Sequence, residues 1–162
     1  MKDQEIKFGK IGDEFFSLLD GKIVETELAK LRKSKNITIN QLKSIFDVGV
    51  FFYNNLQFKE AEIIFCSYVG LNPYDHRGVG CLAAIYLEQG KFKKALNVLN
   101  ILKTYPTNDI DETILNIALC HYKLNEHLEA AATLLIVKAD TLNDFYTQRF
   151  EYLQKQLTPY LS

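Results

Sequence analysis

Apolar side chains recur at spacings of three and four along most of the chain, the period of a helix with one buried face. From Leu42, the positions Ile45, Val48, Gly49 and Phe52 share such a face. A turn at Asn55 to Gln57 follows. A second face then runs through Phe58, Ala61, Phe65 and Tyr68 and stops at Pro73. The arrangement restarts at His76 with Val79, Leu82, Ala83 and Tyr86. Gly90 makes a turn, and Phe92, Ala95, Leu99 and Leu102 follow before Pro106. A third copy starts at Asp111 with Ile114, Ile117, Ala118 and His121. It turns at Asn125 and continues through His127, Ala130, Leu134 and Val137. This copy comes one residue late, and the extra residue falls in "KTYPTNDID", a connection where insertion is tolerated.

Small residues hold the same place in every copy. Gly49, Ala83 and Ala118 allow the first helix of each pair to approach the second, and Ala61, Ala95 and Ala130 allow it from the other side. The period of about 34 residues, with this small–aromatic–small register, is that of tetratricopeptide repeats. The spacing predicts an all-α chain, with three helix–turn–helix repeats in a right-handed solenoid. The expected organisation is a single helical-repeat domain over 1–162, with repeats at 42–75, 76–110 and 111–142. Two flanks complete it. An N-terminal helical segment at 11–33 carries Phe15, Phe16, Leu18 and Leu19 and is divided at Gly21. A capping helix at 143–157 carries Phe145, Phe150, Leu153 and Leu157 and shields the last repeat.

A second apolar stripe remains on the first helix of each repeat once the packing stripe is assigned. It contains Lys43, Phe46, Val50 and Tyr53; then Arg77, Gly80, Ala84 and Leu87; then Glu112, Leu115, Leu119 and Tyr122. A helix apolar on two faces has to bury both. Packing against neighbouring helices would satisfy the second stripe. A concave groove for an extended apolar peptide would satisfy it too, with Gly80 and Ala84 leaving room at mid-groove and Lys43, Arg77 and Glu112 on the rim.

Composition narrows the function classes. Of 162 residues, 48% are hydrophobic and 24% charged, ordinary for a folded domain, and the formal net charge of −1 argues against nucleic acid. No stretch has the apolar core of a signal peptide or the about 18 apolar residues of a membrane span. The cysteines Cys66, Cys81 and Cys120 are odd in number and widely spaced, which suggests reduced thiols in a cytoplasmic protein. Nucleotide-binding, hydrolase and zinc-protease motifs are missing. His76, His121 and His127 are too dispersed for a metal site, and the latter two take repeat-core positions. The reading is a binding protein, with no catalytic residues, cofactor or metal. The run Lys30, Arg32, Lys33, Lys35 reads as a solvated helix end.

The segment "LKSIFDVGVFFYNNLQFKEAEIIFCSYVGLNPYDHR" resembles the first repeat of the class II chaperones of bacterial type III secretion systems. The resemblance continues through "GCLAAIYLEQGKFKKAL" and "ALCHYKLNEHLEAAATLL", covering roughly 42 to 137, and "YDHR" and the Ala118–Cys120 element are its more specific parts. It implies a cytoplasmic, bacterial chaperone that keeps a hydrophobic translocator protein soluble before export. It also implies pockets built from Phe46, Val50, Tyr53, Phe58, Leu71 and Pro73 for a translocator segment with spaced prolines and leucine. Members often pair through the N-terminal region, and the cluster Phe15, Phe16, Leu18 and Leu19 there would serve either a weak homodimer or a cap on the first repeat. Here the chain departs from the pattern: it lacks the common double glycine and has a longer spacer before Leu42. Gly78 and Gly80 also replace bulkier residues. Other readings are a tetratricopeptide scaffold or regulator, or a chaperone of another secretion component such as a needle subunit.

Overall fold

The structure, a computed structural model, describes residues 36–161. The N-terminal segment at 11–33 therefore lies outside the described residues, as do the basic run and Phe15, Phe16, Leu18 and Leu19, the residues expected to dimerise. The described chain is all helical: α1 Ile39–Asn54, α2 Phe58–Leu71, α3 His76–Glu88, α4 Phe92–Leu102, α5 Ile110–Lys123, α6 His127–Leu134 and α7 Asp144–Leu157, with 3-10 turns at Ala139–Thr141 and Thr158–Tyr160. Among these residues no helix is long and apolar enough to cross a membrane. Two compact units are distinct, one ending at Gly78 and the other starting at Val79.

Polar residues set the helix starts. The Thr38 hydroxyl accepts from the Gln41 amide at 3.2 Å, and the Gln41 side chain accepts from the Thr38 amide at 2.8 Å, a reciprocal capping box for α1. Asp109 caps α5 and Asn143 caps α7 in the simpler one-way form.

The turns between paired helices repeat one device. Leu56, Gly90 and Asn125 have φ of 58°, 67° and 64°, the left-handed region. The amides of the next residues, Gln57, Lys91 and Glu126, donate to the carbonyls of Phe52, Tyr86 and His121 at 2.9, 2.8 and 2.9 Å. The left-handed residues themselves donate to Tyr53, Leu87 and Tyr122 at 2.9, 3.0 and 3.1 Å. This double closure is the Schellman motif, and it satisfies carbonyls that the helix end would orphan. The turns therefore stand in register, as the small residues do.

In the first unit, α1 packs on α2. Gly49 is buried there, and a Cβ on it would lie 2.8 Å from the Phe65 ring, so only glycine allows this approach. Ala61, Phe65, Tyr68 and Val69 complete the core. Val48 departs from expectation: it is 44% exposed, because the crossing at Gly49 turns the adjacent position outward.

The second unit buries Val79, Leu82, Ala83, Ile85 and Tyr86 of α3 and Ala95, Val98, Leu99 and Leu102 of α4. Here α5 packs against α4 and α6, and α7 covers α5 and α6. Leu115, Ala118, Ala130, Ala131, Leu134, Val137, Leu153 and Leu157 form one buried cluster. α6 ends at Leu134, yet Val137 still reaches the core through tight turns from Thr133 and Leu134. The buried Asp111 carboxylate anchors that exit, accepting from the Lys138 amide at 2.9 Å and the Thr141 hydroxyl at 3.0 Å. Phe145, expected on the buried face of the cap, is 61% exposed. Its ring instead lies against Tyr146 and the Arg149 guanidinium.

Candidate functional site

Phe46 is the centre of the first unit's open face. It projects from α1 one turn before Gly49, and the close helix crossing brings it onto α2. Its ring meets Phe65 edge-on at 5.5 Å and Tyr68 at 5.1 Å between centroids, yet it is only half-buried. The Arg77 guanidinium lies 5.1 Å from the ring centroid, within cation–π reach.

Asp75 fixes that guanidinium. Its carboxylate accepts from the Arg77 amide at 3.0 Å, from Nε at 2.9 and 3.1 Å, and from Nη2 at 2.6 Å. The Tyr68 hydroxyl also donates to it, at 2.5 Å, and itself accepts from Asn72 at 3.2 Å. Burial pushes the Asp75 carboxyl up, but the bonds from Arg77 and Tyr68 outweigh it and hold it at about 2. Burial and the Asp75 contact raise the Tyr68 phenol. The "YDHR" motif is therefore a built clamp: Asp75 precedes α3, takes one of its first amides, and holds a cation over an aromatic ring.

In front of the clamp is a pocket of about 620 Å³. Ile37, Ile39, Leu42, Lys43, Phe46, Asp47, Tyr68, Asn72 and Arg77 line it. Of the residues predicted for the groove it gathers Phe46 and Arg77, with Lys43 from the predicted rim. Val50 and Tyr53 are half-buried further along α1, and the Tyr53 ring stands 5.7 Å from Phe58 at the start of α2. Leu71 is half-buried at the end of α2, and Pro73 is buried in the turn.

The other predicted residues fall in the second unit. Gly80, Ala84 and Leu87 are half-buried along one face of α3, and a Cβ on Gly80 would find only Leu102, at 3.9 Å. The third-repeat stripe is covered at Leu115 and half-buried elsewhere. Leu115 has 0% exposure, in the cluster with Leu153 and Leu157, and Leu119 and Tyr122 pack against that cluster. Tyr122 meets the Tyr152 ring at 6.1 Å and donates to Gln156 at 3.4 Å. Glu112, predicted on the rim, accepts from the Asn143 side chain at 2.9 Å and joins the start of α5 to the start of α7. Burial, then Asp109, raises its carboxyl. These positions are spent on holding the cap.

Sequence reasoning missed Ile37, Ile39, Asp47, Tyr68 and Asn72 as pocket residues. Tyr68 carried a core signal, and its ring is indeed in the core; only the hydroxyl reaches the site. Ile37 and Ile39 precede the first repeat position, where the repeat register says nothing. The histidines take structural places: His121 Nδ1 is 2.6 Å from Glu126 across the third turn, and His127 lies between the Tyr122 and Tyr160 rings.

Small-residue crossings and matched Schellman turns make this a fold of the tetratricopeptide-repeat class. Solved structures share it. The type III secretion translocator chaperone SycD of Yersinia enterocolitica superposes with a TM-score of 0.61, at 17% identity, over 78% of this chain and 95% of that one. SycD in complex with a peptide of the translocator YopD gives 0.59 at 19% identity, covering 76% and 92%. A type III secretion complex from Aeromonas hydrophila gives 0.65 at 18% identity, covering 86% and 95%. No protein-family model matches the chain, and no curated protein matches it in sequence. At these identities the likeness is one of fold.

Proposed function

We propose that this chain is a non-catalytic, cytoplasmic chaperone of a bacterial type III secretion system. It holds an extended apolar segment of a secreted translocator protein and keeps that protein soluble. The observation that carries the reading is the half-open Phe46 ring, set in a pocket on a fold shared with translocator chaperones, one of them in complex with a translocator peptide. Binding would bury apolar surface against Phe46, Val50, Tyr53 and Phe58, so its drive is mainly hydrophobic. The half-open face of Gly80, Ala84 and Leu87 is a second surface of the same character. Self-association through Phe15, Phe16, Leu18 and Leu19 belongs to the same proposal, and sedimentation of the full chain against a Phe15→Ser/Phe16→Ser variant tests it.

The main test is co-purification from the native bacterium with identification of the bound protein. Affinity and thermal midpoint are then measured together for Phe46→Ala, Tyr53→Ala and the exposed control Lys59→Ala. Tyr53→Ala is expected to weaken binding by about 1–3 kcal/mol with a smaller loss of stability. Groove variants that bind as tightly as the control overturn the mechanism.

A further inference from the structure

The pocket before Phe46 is lined by both apolar and cationic side chains. Leu42, Ile39 and the Phe46 ring supply the apolar part, and Lys43 and Arg77 supply the charge. The two cations differ in kind. Arg77 is fixed: the clamp uses its Nε and Nη2, while Nη1 takes no part in it. The side chain is 61% exposed, so its free edge is open to a ligand. The ordering entropy of a long side chain is already spent within the fold, which favours binding. Asp75, by contrast, is saturated by Tyr68 and Arg77 and only 12% exposed, so it presents little charge to a ligand. Lys43 is exposed and makes no ion pair with another described residue. Asp47 lies one turn further along α1 and also lines the pocket.

We propose that Lys43 and Arg77 make this pocket selective for a peptide segment that carries a carboxylate beside its apolar anchor. The anchor sits on Leu42, Ile39 and Phe46, and the carboxylate pairs with the two cations. The inference rests on the function proposed above and names a feature of the partner segment. A carboxylate beside an apolar floor is less screened than one in open water, and the guanidinium edge offers it a charge-assisted hydrogen bond.

The test uses the full chain and an array of synthetic 12-residue peptides with one central leucine. The residue beside the leucine is glutamate, glutamine or lysine, and affinity is read by fluorescence anisotropy at low and high salt. Glutamate is expected to bind about three- to tenfold more tightly than glutamine at low salt, with the preference shrinking at high salt. Lys43→Glu, an exposed change that leaves the clamp intact, should erase or reverse that preference without moving the thermal midpoint. Arg77→Lys should reduce it. Equal binding of the glutamate and glutamine peptides overturns this inference alone. So does an acid preference that survives Lys43→Glu. Failure of every peptide overturns the groove reading as well. Conversion of a dimer to a monomer by Phe46→Ala, with no peptide bound, would identify a second copy as the occupant and overturn the proposal.

Discussion

The first and third repeats place apolar side chains at the same register positions and use them in opposite ways. Phe46, Val50 and Tyr53 stay half-open, with a pocket in front of the first. Leu115 is sealed in the cluster that α7 completes, and the half-buried Leu119 and Tyr122 pack against that cluster. Register alone therefore does not define a binding surface; what the chain places over the position decides. The third repeat also holds its cover by polar ties. Arg149 Nη1 donates to the buried Asn116 carbonyl, Asn143 to Glu112, and Thr141 to Asp111. Beside the first repeat the polar residues go into the Asp75–Arg77 clamp, which leaves a charged side chain over Phe46 instead of a lid.

The contrast is most severely tested by removing the cover. Leu153 has no exposed surface and lies in the cluster with Leu115 and Leu157. Leu153→Ala is expected to cost about 2–5 kcal/mol by lost burial and a residual cavity, read as a fall in thermal midpoint. Phe46→Ala should cost clearly less, because its ring is half-open. Equal losses would mean that the first-repeat face is as much core as the third.

Two glycines on α3 sharpen the comparison at the next scale. A Cβ on Gly78 would lie 2.7 Å from Tyr68 and 2.9 Å from Val69, both buried. Gly78→Ala is expected to destabilise by about 1–3 kcal/mol through overpacking beneath the clamp. Gly80 has open space, so Gly80→Ala should be neutral or stabilise by up to about 1 kcal/mol through helix propensity. The pair is scored by denaturant midpoints. A destabilised Gly80→Ala would show that its open side is occupied.

The clamp predicts a pH dependence opposite in sign to that of the raised Glu112 carboxyl in the third repeat. Asp75 is held at about 2, below the ordinary aspartate value of 3.8, by bonds made only in the folded state. Its contribution is fully present above the ordinary value and is lost as pH falls from about 4 toward 2. Solvent screening of this partly exposed pair reduces the effect to about 1 kcal/mol. Asp75→Asn should remove that part of the acid-side slope while leaving the rest of the curve. An unchanged slope means the Arg77 and Tyr68 bonds are not formed in solution.

The fold was legible because its determinants are local and periodic. Gly49, Ala61 and the turn at Asn55 to Gln57 each announce themselves by size or polarity at a fixed spacing. The site was legible only in part. Phe46 and Arg77 stand at stripe positions of successive repeats, and their side chains meet. Leu115 misled because a pattern within one helix does not reveal which later helix will cover it. Val48 and Phe145 misled for a related reason: spacing of three and four gives a face about as wide as the buried strip, and its edge residues fall either way. Tyr68 shows the limit from the other side. One residue serves the core with its ring and the site with its hydroxyl, and the hydrophobic pattern records only the first.

The smallest predicted effect lies in the turns, where the first repeat differs from the other two. All three turns demand a left-handed residue. The second supplies glycine and the third asparagine, the residues that adopt this conformation most readily. The first supplies Leu56, at φ 58° and 74% exposed. A leucine there carries backbone strain of about 1–2 kcal/mol, with little burial to offset it. Leu56→Gly relieves the strain but adds freedom to the unfolded chain, so the net gain is expected at about 0.5–1 kcal/mol. The opposite change at the matched position, Gly90→Ala, should lower stability by a similar amount. Thermal midpoints moving in opposite directions for the two variants would show that one turn geometry governs both repeats. A loss in Leu56→Gly would mean instead that the leucine side chain packs against a partner of its own, and that the first turn is held by contact where the second is held by conformation.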